Sequence, residues 1–268
     1  MSKPRTPVEH PSDDPLALAI RAAIRHGDIK ALQAHLAENP GLSTAVITSR
    51  GPDGTPEART LLHTATDWPG HYPQVGETIH LLASAGADVS APFQRGPGAE
   101  AEHHSPHGET PLHWAASSGD VEALDALLSA GADIEAPGSV LGGGAPLANA
   151  VGFRQWRAAE RLVERGAAVT LQQAAGMGLT DQVEAMLSGE GNAVDEAEDV
   201  SRAFWYACHG GRSQAARLLA QHGADINWRP PWDAHMRPVD AARKAGDADL
   251  VRWLREEGAV TGRAEVDA

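Results

Sequence analysis

The tripeptide Gly-Ala-Asp closes three stretches of this 268-residue chain, at Gly86, Gly131 and Gly223, with weaker echoes at Gly166 and Gly258. Successive members lie 45, 35, 57 and 35 residues apart, and a divergent unit ending near Glu190 divides the longest step. Upstream of four of them a 22-residue block aligns: TPLHWAASSGDVEALDALLSAG (110–131), APLANAVGFRQWRAAERLVERG (145–166), RAFWYACHGGRSQAARLLAQHG (202–223) and RPVDAARKAGDADLVRWLREEG (237–258). Looser copies at 18–39, 60–86 and 169–190 bring the number of units to seven. A period of this size prescribes a repeat architecture, in which each unit is too thin to bury its own apolar face and must stack on its neighbours.

One unit reads as helix, turn, helix. Pro111, Pro146 and Pro238 sit where a first helix begins, the position at which a missing N–H costs nothing, and Thr110 is placed to cap that end. Small pairs such as Ala115 with Ala116, Ala174 with Ala175 and Ala207 with Cys208 let this short helix lie close to others. A glycine turns the chain (Gly27, Gly119, Gly178, Gly211, Gly246), and a second helix follows with apolar residues at helical spacing, as in Val121, Leu124, Leu127 and Leu128. The terminal glycine then supplies a left-handed cap.

TPLHWAA at 110–116, followed by GD and LLSAGAD, resembles the ankyrin repeat, and TLLHTAT at 60–66 is a second, imperfect match. The resemblance covers about 18–260. It implies an all-α ankyrin-repeat solenoid of about seven helix-turn-helix units, with hairpin-like finger loops and a concave surface made by the fingers and the first helices. Known members are overwhelmingly protein-binding scaffolds, and fold by itself does not fix function. On this reading 1–14 is a disordered lead-in, 15–260 the solenoid and 261–268 a tail.

Composition narrows the function classes. Acidic side chains outnumber basic ones 36 to 22, a net charge of −14 that repels phosphate backbones and argues against a nucleic-acid partner. No run approaches the roughly 20 apolar residues that span a bilayer, and the polar, proline-rich start has no apolar core like that of a signal peptide. A single cysteine, Cys208, forms no intrachain disulfide, and the default compartment is cytoplasmic. No cofactor is implied. Aromatic residues are scarce at 4%, yet seven of them are Trp, and there are 13 His.

That skew falls on lengthened segments. An ideal repeat takes about 33 residues; the surplus lies at 40–59, at 67–76 inside unit 2, and in the fingers at 87–109 and 224–237. Trp68, His71 and Tyr72 occupy the second of these, His103, His104 and His107 the third, and Trp228, Trp232 and His235 the last. In the family's pattern the residues flanking the paired Ala border the concave groove; here they include Asp67, Trp68, Trp114, Ser117, Asn149, Phe153, Gln173, Tyr206 and His209. This mixed apolar and polar lining suits a small-ligand pocket, with Trp68, Trp114, Ser117, Asn149, Phe153, Gln173, Tyr206, Trp228 and Trp232 as candidate ligand contacts. It equally suits a peptide anchored by aromatic residues.

Asp67 beside His71, with His209, is the minimum equipment for proton transfer, since imidazole titrates near neutrality and a carboxylate can orient it. Asp67 has the alternative duty of closing its own loop. His63 and His113 occupy the TPLH slot, whose imidazole in the family bonds between neighbouring fingers, and Trp205 takes that slot in unit 6. The His103, His104, His107 triplet has metal-ligand spacing but lacks a helical Glu, so no metal is assigned. Cys208 replaces a buried Ala and is a poor nucleophile candidate. Two functions follow as expectations: a scaffold for a protein or peptide partner, possibly basic, or a small-molecule-binding protein or enzyme doing acid/base cyclisation, dehydration or isomerisation.

Overall fold

The computed structural model describes residues 7–96, 108–141, 143–189, 197–233 and 235–262. The chain divides into two compact units, Met1–Ala167 and Ala168–Ala268.

The first unit holds four helix pairs: α1 (Pro15–His26) with α2 (Ile29–Glu38), α3 (Leu61–Thr66) with α4 (Val75–Ser84), α5 (Pro111–Ser118) with α6 (Val121–Ser129), and α7 (Pro146–Gly152) with α8 (Trp156–Glu164). The second holds three: α9 (Leu171–Met177) with α10 (Thr180–Leu187), α11 (Ala197–Gly210) with α12 (Ser213–Gln221), and α13 (Pro238–Ala245) with α14 (Ala248–Glu256). Seven pairs stand where seven units were read. Within each unit first helices contact first helices (α1, α3, α5, α7; α9, α11, α13) and second helices contact second helices (α2, α4, α6, α8; α10, α12).

The capping chemistry explains where these short helices start. Thr60, Thr110 and Thr170 form reciprocal capping boxes with His63, His113 and Gln173. Asp28, Asp120 and Asp247 cap second helices through N–H groups of Ala31, Ala123 and Leu250 at 2.9, 3.0 and 2.9 Å. Helices of seven to nine residues are marginal alone, so their stability comes from packing. Ala115, Ala116, Leu124, Leu127, Ala174 and Ala175 are all fully excluded from solvent.

Gly27 shows how tight the stacking is. It sits at φ 65° after α1, and a Cβ there would lie 2.3 Å from the Pro73 carbonyl oxygen. Gly27→Ala is therefore expected to cost roughly 2–3 kcal/mol, from the left-handed backbone and the clash together. A urea midpoint equal to wild type would contradict this packing.

The first unit also carries a small sheet, which the all-helical pattern of the repeats did not announce. The lengthened segment after α2 is a β-hairpin, β2 (Val46–Arg50) antiparallel to β3 (Pro56–Thr60), and β4 (Gln94–Arg95) pairs with β3. β-Branched Val46, Ile47 and Thr48 favour the extended strand, and Gly51–Gly54 turns the chain with Gly54 N–H bonded to the Gly51 carbonyl at 2.9 Å. The outer edge of β2 recruits β1 (Glu9–Pro11) in parallel register. Val46 N–H donates to the Val8 carbonyl at 3.0 Å and Ser12 N–H to the Thr48 carbonyl at 2.9 Å. Residues 9–11, assigned by composition to a disordered lead-in, thus form a strand of this sheet.

Candidate functional site

In the first unit the candidate residues gather around two groups that the sequence reading left out, Arg59 and Glu109. Arg59, on β3, lies with its guanidinium carbon 5.8 Å from the Phe93 ring centre and 5.5 Å from that of Trp114. The Trp114 ring meets His63 edge-on at 4.8 Å and Phe93 at 5.4 Å. Arg59 also reaches Asp67 at 3.5 Å and Glu57 at 3.4 Å, while Arg25 reaches the same Asp67 oxygen at 3.2 Å. Arg95 continues the series with Glu57 at 3.4 Å and Asp53 at 3.0 Å. The result is an alternating ladder of charges, Asp53, Arg95, Glu57, Arg59, Asp67 and Arg25, running from the tip of the hairpin finger to α1.

Glu109 organises the polar candidates. Its carboxylate accepts from the Trp114 indole N–H at 3.1 Å and from Asn149 Nδ2 at 2.6 Å. Asn149 is fully buried. Its Nδ2 also donates to Ser117 Oγ at 2.8 Å, and its Oδ1 accepts from Ser139 Oγ. Ser117 in turn donates to the His113 carbonyl at 2.9 Å. Trp114, Ser117 and Asn149 are thus brought together as expected, but as members of a satisfied internal network.

Asp67 and His71 do not form the expected pair. Asp67 faces two guanidiniums. His71 adopts φ 56°, its N–H donates to Asp120 at 2.5 Å, and its ring meets the Ser118 carbonyl at 3.3 Å and Asp120 at 3.9 Å. The reason is the register of the insertion: Gly70 seats against Ser118, which turns His71 toward the next helix pair. His71, Tyr72, Asp120 and Arg157 line a shallow recess of about 240 Å³, small beside typical ligand pockets. Between these fixed neighbours Trp68 stands 74% exposed. Phe153, capping the end of α7, is 47% exposed.

In the second unit Tyr206, His209, Trp228 and Trp232 come together around Trp205. His209 stacks on Trp205 at 5.0 Å and 12°, one helical turn on; Tyr206 and Trp232 meet Trp205 edge-on at 5.2 and 5.4 Å. Trp228 packs against Trp232 at 5.7 Å. Trp228 is 9% exposed and Trp232 39%, so the outer face of this cluster belongs to Trp232. Burial pushes the Tyr206 hydroxyl above its ordinary pKa, against a smaller opposite pull from Arg202. Gln173 lies elsewhere: its Oε1 accepts from Thr170 N–H at 2.8 Å in the α9 capping box. One residue fewer between cap and glycine than in α5 moves Gln173 into the position that His113 holds there, so it serves the helix end.

One ankyrin-repeat family model matches residues 107–139. Rabankyrin-5 from human and from mouse are each 29% identical over 221 residues, a stretch that covers 78% of this chain and 18% of theirs. The chain thus spans less than a fifth of the length of these curated relatives. Among solved structures, the human ASB11 ankyrin repeat domain superposes with a TM-score of 0.50 at 19% identity, covering 88% of this chain and 96% of that one. The chain has the ankyrin-repeat fold.

The ankyrin slots account for the remaining groups. His63 Nε2 bonds to the Glu109 carbonyl at 3.0 Å and His113 Nε2 to the Gly144 carbonyl at 3.1 Å, each tying its repeat to the next finger. Trp205 does the same work with an indole, donating to the Met236 carbonyl at 2.5 Å. Burial holds both His63 and His113 at a pKa of about 4. Cys208 is fully buried, and burial, then Asp247, push its thiol up, away from nucleophile chemistry. His103, His104 and His107 lie outside the described residues. Among the described residues no cluster of three His, Cys, Asp or Glu is placed to hold a metal, and no helix is long and apolar enough to cross a membrane.

Proposed function

We propose that this ankyrin-repeat protein is a cytoplasmic scaffold that binds a protein or peptide partner, with Trp68 as its principal anchor. The observation that carries this reading is a large indole three-quarters exposed on a loop whose other members are tied down. Asp67 is held by Arg25 and Arg59, His71 by Asp120, and the Tyr72 hydroxyl donates to the Trp68 carbonyl at 3.3 Å. Exposing an indole costs hydrophobic free energy that a stack of repeats does not require, and Trp on a pre-organised surface is the commonest kind of binding hot spot. Trp232 and Phe153 are further exposed aromatic contacts. Ankyrin repeats in general serve protein–protein interaction, which agrees with this use.

Acid/base chemistry finds no comparable support. Asp67 is committed to arginines, and Asn149 and Ser117 to Glu109 and to each other.

Peptides selected for binding to the wild-type chain are expected to lose about 30-fold in affinity, roughly 2 kcal/mol, on Trp68→Ala. The urea midpoint should stay unchanged, because so exposed a ring contributes little to the core. Binders that retain full affinity for Trp68→Ala would refute the reading.

A further inference from the structure

We infer that the rim formed by α1 and the insertion after α3 recognises a segment in which carboxylates flank a large apolar side chain. This rests on Trp68 as the anchor and adds the charge of what it meets. Arg21 and Arg25 lie one turn apart and so share a face of α1. Arg21 has no hydrogen bond or ion pair with another described residue, and Arg25 shares its single carboxylate, Asp67, with Arg59. The Arg25 Nε is buried without a partner, and its guanidinium lies 6.0 Å from the Tyr72 ring centre.

Next to Trp68, Arg25 and Arg59 share the one carboxylate of Asp67, and Arg21, one turn from Arg25, adds a further cation on that face of α1, although the chain as a whole carries a net charge of −14. Net charge alone favours a basic partner through long-range steering. Contact energetics follow the groups at the interface: a lysine arriving beside Trp68 meets guanidiniums, whereas a carboxylate finds the unpartnered guanidinium of Arg21. Asp67, the residue before Trp68, already demonstrates the pairing, because it is the carboxylate that Arg25 holds.

The test is a selection from a randomised library of short peptides on the full chain, followed by affinities of the selected peptides for variants. Asp and Glu should be enriched beside Leu, Phe or Trp, and Arg21→Gln should weaken those peptides about 10-fold, with Arg21→Glu weakening them further. Arg21 holds no partner, so its variants fold as wild type; Arg25→Gln is a second probe, read together with its unfolding curve. Enrichment of Lys and Arg, or equal binding to wild type and Arg21→Glu, overturns the inference. Uncharged peptides that still depend on Trp68 would leave the anchor standing and this partner charge refuted, whereas binding indifferent to Trp68→Ala would refute the anchor itself.

Discussion

Lowering the pH from 7 to 4 is expected to remove roughly 3 kcal/mol of folding stability for each of His63 and His113. Both are buried neutral imidazoles with a pKa of about 4 in the folded chain, against the ordinary value of 6.5. The main cause is desolvation, which penalises the imidazolium; for His63 the nearby Arg59 and His113 add to it. The bonding pattern agrees. In each case Nδ1 accepts from a threonine N–H, Thr60 at 3.4 Å and Thr110 at 3.1 Å, while Nε2 faces a carbonyl. A proton added at Nδ1 would oppose that N–H.

The folded pKa lies below the unfolded one, so the unfolded chain binds more protons between them. The stabilisation is complete above pH 6.5, falls by about 1.4 kcal/mol per pH unit per histidine on the way down, and levels off below pH 4. Carboxylates contribute to any acid transition, so the decisive comparison is with His113→Gln. Gln173 already performs the capping-box duty in α9, and a glutamine at 113 should keep that contact while no longer titrating. Urea unfolding across the pH range should show a slope reduced by about one proton in the variant. An unchanged slope would mean that His113 is not held neutral by its site.

Asn149→Ala is expected to destabilise the first unit by about 3 kcal/mol. Its side chain amide serves Glu109, Ser117 and Ser139 at once, and it is fully buried. Truncation strands those partners without water to replace the lost bonds, which costs more than one net hydrogen bond. Ser117→Ala, which removes a single member, should cost about 1 kcal/mol. Thermal or urea unfolding distinguishes this from the pocket-lining role that the position in the repeat suggests. A ligand contact would lose affinity on substitution and leave stability near wild type.

The contrast between Asn149 and Trp68 explains what could be read from the sequence. The seven units were legible because period, caps and small pairs are local properties: Thr110, Pro111, Ala115, Ala116 and Gly119 all belong to one short helix and its two caps. The bridging role of the histidines in the TPLH slot was legible too, and so was the place of Trp205 in that slot, but not that its indole takes over the bridge. What escaped depends on residues far apart in sequence. Glu109 gains its role from Trp114 on one side and Asn149, 40 positions on, from the other. The charge ladder joins Arg25, Arg59 and Arg95 from a helix and two strands.

The hairpin β2–β3 carried a readable signal in its β-branched strand and Gly-Pro-Asp-Gly turn, but its length marked it only as surplus to the helical period. The Asp67 and His71 pairing failed for a related reason. Proximity in sequence says nothing of direction once Gly70 and His71 both take positive φ, at 74° and 56°. Among the candidate residues, exposure then separates the groups with structural work from those without it. Asn149, Ser117, Asp67 and Gln173 have partners inside the fold, whereas Trp68 presents its ring to solvent.

The most direct test of this account is the equilibrium affinity of Trp68→Ala for a peptide selected on the wild-type chain, measured beside its unfolding free energy. An affinity about 30-fold weaker is expected, with stability within roughly 0.5 kcal/mol of wild type. An unaltered affinity, or a loss of stability large enough to explain the loss of binding, would contradict it.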